Sequence, residues 1–396
     1  MRVLTVVDAF RLGGAETLIA QLGRVAAQSG LDLQVLSILD RGPDRSALEP
    51  LLREVGLEPQ YLGVRRTLDP TAVPRLVSFI RRSGADVVHA HLEMAMTLAL
   101  PAAALAGRPG VGTFHHVHRP LSGRAAARER LAVEVATRSK AAIFVSQASL
   151  TSFADRYRPG RRVPKSWTVV HNGIDLDYFS PATEASPPFP ADLGLPADLG
   201  LSASARSGGH RVVTLLAALR DFKGITHAVR AWPDVLARVP EARLLLVGSG
   251  SEEGALRAQV ADLGLTESVV FAGMRSDIPE ILRASEVVLL PSIYGENLPT
   301  VLMEAGGCGR PVVASDVGGI SDIVADRETG LLVRPGDAAG IADAVVRLLD
   351  DRDLAEAMGR AGRQRMERLF DAHGWAANLR RVYETAMGSS RQEAIA

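Results

Sequence analysis

The sequence predicts an α/β protein made of two doubly wound, Rossmann-like domains. Three observations carry that expectation. At 396 residues the chain is long for a single hydrophobic core. Short β-branched runs without polar alternation recur along it, as in parallel strands covered on both faces. Amphipathic stretches fill the intervals, which makes successive βαβ units.

In the first series, strands are expected at 2–7 ("RVLTVV"), 33–38, 86–90, 111–116, 141–146 and 167–172, with helices at 14–29, 70–82 and 124–138. The series then breaks at 181–210, a stretch loaded with Pro, Ala, Ser and Gly. "PADLGL" occurs there twice in tandem, at 190–195 and 196–201, and reads as duplicated linker. A second series follows at 211–219, 242–248, 268–273, 286–292 and 311–315, and beyond Asp337 the pattern is nearly all helical. Domains are therefore expected at 1–180 and 211–371, joined by a 181–210 linker or loop.

With 47% hydrophobic and 23% charged residues, the composition is that of an ordinary soluble globular protein. Cys308 is the only cysteine, which excludes an internal disulfide and suits a reducing compartment. The longest apolar run, 94–107, is too short to span a bilayer and carries Pro101. "MRVLTVVDAF" reads as a strand rather than a signal peptide, because no small-residue cleavage site follows; a cytoplasmic location is expected. Net charge is zero, but residues 1–180 hold 23 Lys+Arg against 16 Asp+Glu, so that half is +7 and the remainder −7. Five of the ten residues in "RYRPGRRVPK" (156–165) are basic. A solvated loop and attraction between the domains explain this. The competing reading is an anionic acceptor or a peripheral contact with a membrane surface. No nucleic-acid partner is expected.

The stretch "YGENLPTVLMEAGGCGRPVVASDVGG", Tyr294 to Gly319, holds two glutamates, Glu296 and Glu304, on either side of Pro299. Proline suits the first position of a helix, so 295–298 is read as a loop and Pro299 as a helix start. Helical side chains lean toward the N-terminus, which sends Glu304 back toward the tip where Glu296 sits. One ligand lying across free backbone N–H groups would then meet both carboxylates. Gly306 and Gly307 cost roughly 1 kcal/mol each against alanine and should shorten the helix.

Ligands of open α/β sheets bind beyond the carboxyl ends of the strands. Gly13 and Gly14 follow the first strand, and paired glycines let a backbone approach a phosphate. Lys223, followed by Gly224 at a helix start, offers a point charge beside free N–H groups. "LLLVGSGSEEG" (244–254) is one residue too long for a dinucleotide fingerprint, and the chain after it shows no clear ribose acid. His115, His116 and His118 end a central strand, but no H-E-x-x-H pattern exists. One functional histidine with two solvated neighbours is expected there, and no metal site. "VVHNGID" (169–175) runs from a strand into an Asn-Gly turn.

Taken in order, "GGAE" (13–16), "DVVHAH" (86–91), "TFH" (113–115), "VVHNGID", "KG" (223–224), "VGSGSE" (247–252) and "ENLPTVLMEA" (296–305) resemble the retaining glycosyltransferases of family 4. The resemblance spans roughly residues 1–335 and implies the GT-B architecture, two Rossmann-like domains facing a central cleft. In it the first domain is the acceptor side, the second binds the nucleotide sugar, and a C-terminal helix (within about 372–396) crosses back to domain one.

The site roles that follow are those the resemblance implies. Gly13 and Gly14 would lie against the donor diphosphate. His115 would sit by the anomeric centre and the sugar C6 hydroxyl. Lys223 would neutralise the leaving diphosphate. Glu296 would hold donor-sugar hydroxyls and Glu304 the ribose hydroxyls, while the N–H groups of Asn297, Leu298, Thr300 and Val301 would receive sugar and phosphate oxygens. No metal or other cofactor is implied; the partners are a nucleotide sugar, with UDP expected, and a small-molecule, glycan or lipid-linked acceptor. One departure stands out. The family carries Gly-Arg-Leu where this chain has Ala217-Ala218-Leu219, and Arg220 is the nearby basic residue that would replace the missing arginine. Other readings are a nucleotide-sugar epimerase of the same architecture, a silent nucleotide-sugar binder and a glycoside hydrolase with paired carboxylates.

Overall fold

The computed structural model describes residues 1–11, 14–64, 69–183 and 211–388. Gly13, both copies of the repeated hexapeptide and residues 389–396 lie outside the described residues. The chain divides into two units, one formed by Met1–Asp175 with Phe370–Ala396, the other by Leu176–Leu369.

The first unit runs β1 (Arg2–Val7), α1 (Gly14–Ala26), β2 (Asp32–Leu39), α2 (Glu49–Glu54), β3 (Pro59–Val64), α3 (Ala72–Ser83), β4 (Val87–His91), α4 (Glu93–Leu105), β5 (Gly110–Phe114), α5 (Gly123–Arg138), β6 (Ala141–Phe144), α6 (Gln147–Tyr157) and β7 (Trp167–Val169). Its sheet is parallel throughout, in the order β3-β2-β1-β4-β5-β6-β7. Both faces are covered, which explains why the strands lack alternation. Val3 and Val7 pack with Leu18, Trp375 and Leu379, whereas Leu4 and Val6 pack with Leu76, Met96 and Phe114.

The second unit runs β8 (Arg211–Leu216), α7 (Ile225–Leu236), β9 (Ala242–Val247), α8 (Glu253–Asp262), β10 (Val269–Gly273), α9 (Ile278–Ala284), β11 (Val287–Leu290), α10 (Thr300–Gly307), β12 (Val312–Ser315), α11 (Ile320–Ile323), β13 (Gly330–Val333), α12 (Ala338–Asp350) and α13 (Arg352–Leu369). Its sheet, also parallel, has the order β10-β9-β8-β11-β12-β13. The last helix, α14 (Ala372–Ala386), belongs to the first unit, where Trp375, Leu379 and Tyr383 enter the core. Ile174 ties the chain to α14: its N–H donates to Phe370 O at 2.8 Å, and its carbonyl accepts from Ala372 N at 3.0 Å.

Two strands, β3 and β13, escape the sequence reading. Each is an edge strand paired on one side only, and "PQYLGV" opens with proline and contains glycine, so its β signal is weak. The helix of the two-glutamate stretch begins one residue later than expected. Pro299 is the extended residue before it, at φ −66 and ψ 116, and Thr300 is the first helical residue. The helix ends at Gly307, and at Gly306 a side chain would press on Met366 of α13. Among the described residues no helix is long and apolar enough to cross a membrane.

Candidate active site

In the second unit the chain builds outward from β8 to one side and then returns to place β11 on the other. The loops after these two strands flank the point where strand order reverses, the place where such sheets hold ligands. The β8 loop continues the sheet pattern past Leu216, with Ala217 N–H donating to Val247 O and Leu219 N–H to Ser249 O, both at 3.0 Å. Exposure alternates along it: Ala218 is exposed, Leu219 buried and Arg220 exposed, with a tight turn closed by Arg220 N–H on Ala218 O at 2.8 Å. Arg220 is extended, at φ −127 and ψ 154, and its guanidinium has no partner among the described residues. It does not pair with Asp221, whose carboxylate accepts from Phe222 N–H at 2.7 Å.

A 3-10 turn, Asp221–Lys223, then delivers Lys223 to the β11 loop. Lys223 Nζ donates to Glu296 Oε1 at 2.6 Å, and Ser292 Oγ donates to the same oxygen at 2.6 Å. Glu296 is only 5% exposed, so lysine and hydroxyl satisfy a carboxylate that burial would otherwise penalise. Two glycines make the approach possible. Gly224 sits at φ 67, where an added Cβ would overlap the Pro291 carbonyl; Gly318, at φ 59, lies against the carbonyl of Glu296 itself. Ser292 has no sequence signal beyond lying four residues before Glu296.

Asn297 and Leu298 are buried, and Pro299 turns the chain into α10. Leu302 N–H closes on Pro299 O at 3.2 Å, leaving the amides of Thr300 and Val301 at the open N-terminal end. Glu304, half-buried one turn in, accepts a hydrogen bond from the Thr300 side chain, and burial pushes its carboxyl up to about 7.

The histidines lie in the first unit. Gly14 is the exposed first residue of α1. Asp8, at the end of β1, accepts from Ala95 N–H at 2.7 Å; burial, with Glu16 and Glu93 nearby, pushes its carboxyl up to about 6. His115 is half-buried just beyond β5, and its Nε2 lies 2.8 Å from His91 Nδ1. The expectation of two solvated neighbours fails. His116 Nε2 meets Glu129 Oε2 at 3.1 Å and His118 Nδ1 meets Glu129 Oε1 at 2.6 Å. Glu129 is 1% exposed on the inner face of α5 and also accepts from Tyr157 OH. Glu93, His116 and Glu129 bring three ligand-type atoms within 4.8 Å of one another. The sequence reading expected no such set, because its members come from three elements and share no spacing pattern. Two of Glu129's bonds are already made to other residues.

Two parallel α/β units, with a lysine–carboxylate pair over the switch point of the second, define a glycosyltransferase of the GT-B class. The fold agrees with that of the Anabaena protein HepE in complex with UDP, at a TM-score of 0.80 and 23% identity over 97% of this chain and 100% of that one. Residues 12–178 match the model described as Glycosyltransferase Family 4, and residues 202–365 the one described as Glycosyl transferases group 1. A D-inositol 3-phosphate glycosyltransferase of Acidothermus cellulolyticus is 31% identical, covering 96% of this chain and 88% of that protein. A phosphatidyl-myo-inositol mannosyltransferase of Mycobacterium leprae is 28% identical over 97% of this chain and 96% of that protein. The chain belongs to glycosyltransferase family 4.

Proposed function

We propose that this enzyme transfers a sugar from a nucleoside diphosphate sugar, with UDP as the nucleotide, to an acceptor hydroxyl, with retention of anomeric configuration and without a divalent metal. The observation that carries the reading is the Lys223–Glu296 pair beside the open N-terminal end of α10. Lys223 and the first amides of α10 stabilise the diphosphate as it leaves. Glu296 holds the sugar hydroxyls and Glu304 the ribose. Within the first unit, His115 and Gly14 are the groups that meet substrate. The acceptor is a small polyol, a glycan or a lipid-linked sugar, in keeping with the inositol-linked substrates named for the two curated relatives and with the basic surface at 156–165.

Thermal shift with a panel of nucleoside diphosphates and their sugars tests this. A ligand at a hundred times its Kd adds about 2.7 kcal/mol to stability, so UDP or a UDP-sugar should raise the melting temperature by several degrees, and GDP by less. A melting temperature unmoved by every member of the panel would end the reading. Proton NMR of the product then decides retention, since an α-linked donor must give an α-linked glycoside.

A further inference from the structure

The motif "DVVHAH" contributes two buried histidines that the donor-binding reading leaves without work. His89 and His91 lie on β4, 1% and 5% exposed. His89 is pinned at both nitrogens, Nδ1 to Tyr383 OH at 2.7 Å and Nε2 to Thr113 Oγ1 at 2.6 Å. His91 packs on it, ring centroids 4.1 Å apart, and reaches His115 through its own Nδ1. Leu92, the next residue, is held at φ 72 and ψ 163, a region that non-glycine residues rarely enter unless their surroundings impose it. The stack therefore runs from α14 through β4 to the side chain of His115, all within the first unit.

One hydrogen lies between His91 Nδ1 and His115 Nε2, so the tautomers of the two rings are coupled. If His115 were the donor, the hydrogen of His91 would sit on Nε2. That nitrogen is buried and has no partner among the described residues, and an orphaned buried N–H is the rarer and costlier arrangement. The hydrogen therefore belongs to His91 Nδ1, and His115 accepts at Nε2 and carries its own hydrogen on Nδ1. Among the described residues His115 Nδ1 meets no protein group, and the side chain is half-buried rather than enclosed.

We propose that His91 is a positioning residue that fixes His115 as a neutral Nδ1–H tautomer, so that His115 meets a substrate oxygen as a hydrogen-bond donor and not as a base. Burial, reinforced by the neighbouring rings, holds His91 and His115 well below the usual histidine range and His89 at about 3. The proposal rests on the reading of His115 as a substrate-facing group and adds its protonation state.

Ring nitrogen-15 NMR of protein labelled at its nine histidines tests it without any substrate. His115 is assigned by the signal lost in His115→Gln. In the wild type at neutral pH it should show a single tautomer, hydrogen on Nδ1. His91→Phe should mix the tautomers; His91→Asn, whose amide N–H replaces the lost donor, should restore the wild-type signal. In transfer assays His91→Phe should lower kcat about tenfold and KM less than twofold, the scale known for hydrogen bonds that orient metal-bound histidines, with most of the loss recovered in His91→Asn. A wild-type His115 bearing its hydrogen on Nε2 would overturn the tautomer, and an unchanged kcat in a folded His91→Phe would overturn the positioning role. Should His91→Phe not fold, the wild-type spectrum and His91→Asn still decide. Should no nucleotide sugar be turned over, the functional reading fails while the spectrum still decides the tautomer.

Discussion

A carboxyl with its pKa near 7 is roughly nine-tenths ionised at pH 8 and one-tenth at pH 6. Glu304 is such a group, pushed up to about 7 by burial within the first turns of α10. Ribose hydroxyls donate hydrogen bonds, and an ionised carboxylate only accepts them. UDP should therefore bind the ionised form, and its affinity should rise by about tenfold between pH 6 and pH 8, or about 1.4 kcal/mol. The apo protein moves the other way. Glu304's folded pKa lies above the unfolded value, so its contribution to stability is complete at low pH and lost as pH rises through 7. Calorimetry of wild type and Glu304→Gln across pH 6 to 8 isolates the effect, because titration of UDP itself is common to both. The wild-type affinity should climb relative to the variant, which should bind more weakly at pH 8. Parallel pH profiles would refute the assignment of Glu304 to the ribose.

Three further outcomes are expected. Glu296→Gln should remove most turnover, because the carboxylate that holds the sugar hydroxyls is lost, without lowering UDP affinity, because Lys223, freed from its 2.6 Å ion pair, still meets the diphosphate; equal loss of UDP affinity in Glu296→Gln and Glu304→Gln would end that division. Arg220→Ala should cost roughly 2.7–4 kcal/mol of transition-state stabilisation, a hundredfold or more in rate, with partial recovery on adding Ala218→Arg; a fully active Arg220→Ala enzyme with unchanged circular dichroism would show that Arg220 only faces solvent. Exhaustive EDTA treatment should leave the rate within about twofold, and a loss restored by Mg²⁺ or Mn²⁺ would point to a metal, for which Glu93, His116 and Glu129 are the first residues to test.

The doubly wound architecture was legible because its signals are local. Hydrophobic periodicity, glycine turns and the restart of the strand series need only neighbouring residues, and so does a glutamate leaning back toward a helix tip one turn away. Strand alternation from Ala218 predicts an outward Arg220, and Arg220 is exposed, although the chain reaches it through a tight turn in which Arg220 N–H donates to Ala218 O at 2.8 Å.

Tertiary structure decided what depends on residues distant in sequence. Lys223 and Glu296 are 73 positions apart, and no spacing rule says that one neutralises the other. His91 and His115 meet across adjacent strands 24 positions apart, and Glu129 reaches His116 and His118 from the inner face of a helix, although its place between Arg128 and Arg130 reads as exposed in the sequence. Strand β3 opens with proline and contains glycine, and β13 is only four residues long and opens with glycine, so little in their own residues marks them. Burial, finally, set the charge states at Glu304, Asp8 and the three stacked histidines: desolvation by packed neighbours moves a pKa, and the neighbours exist only once the chain has folded.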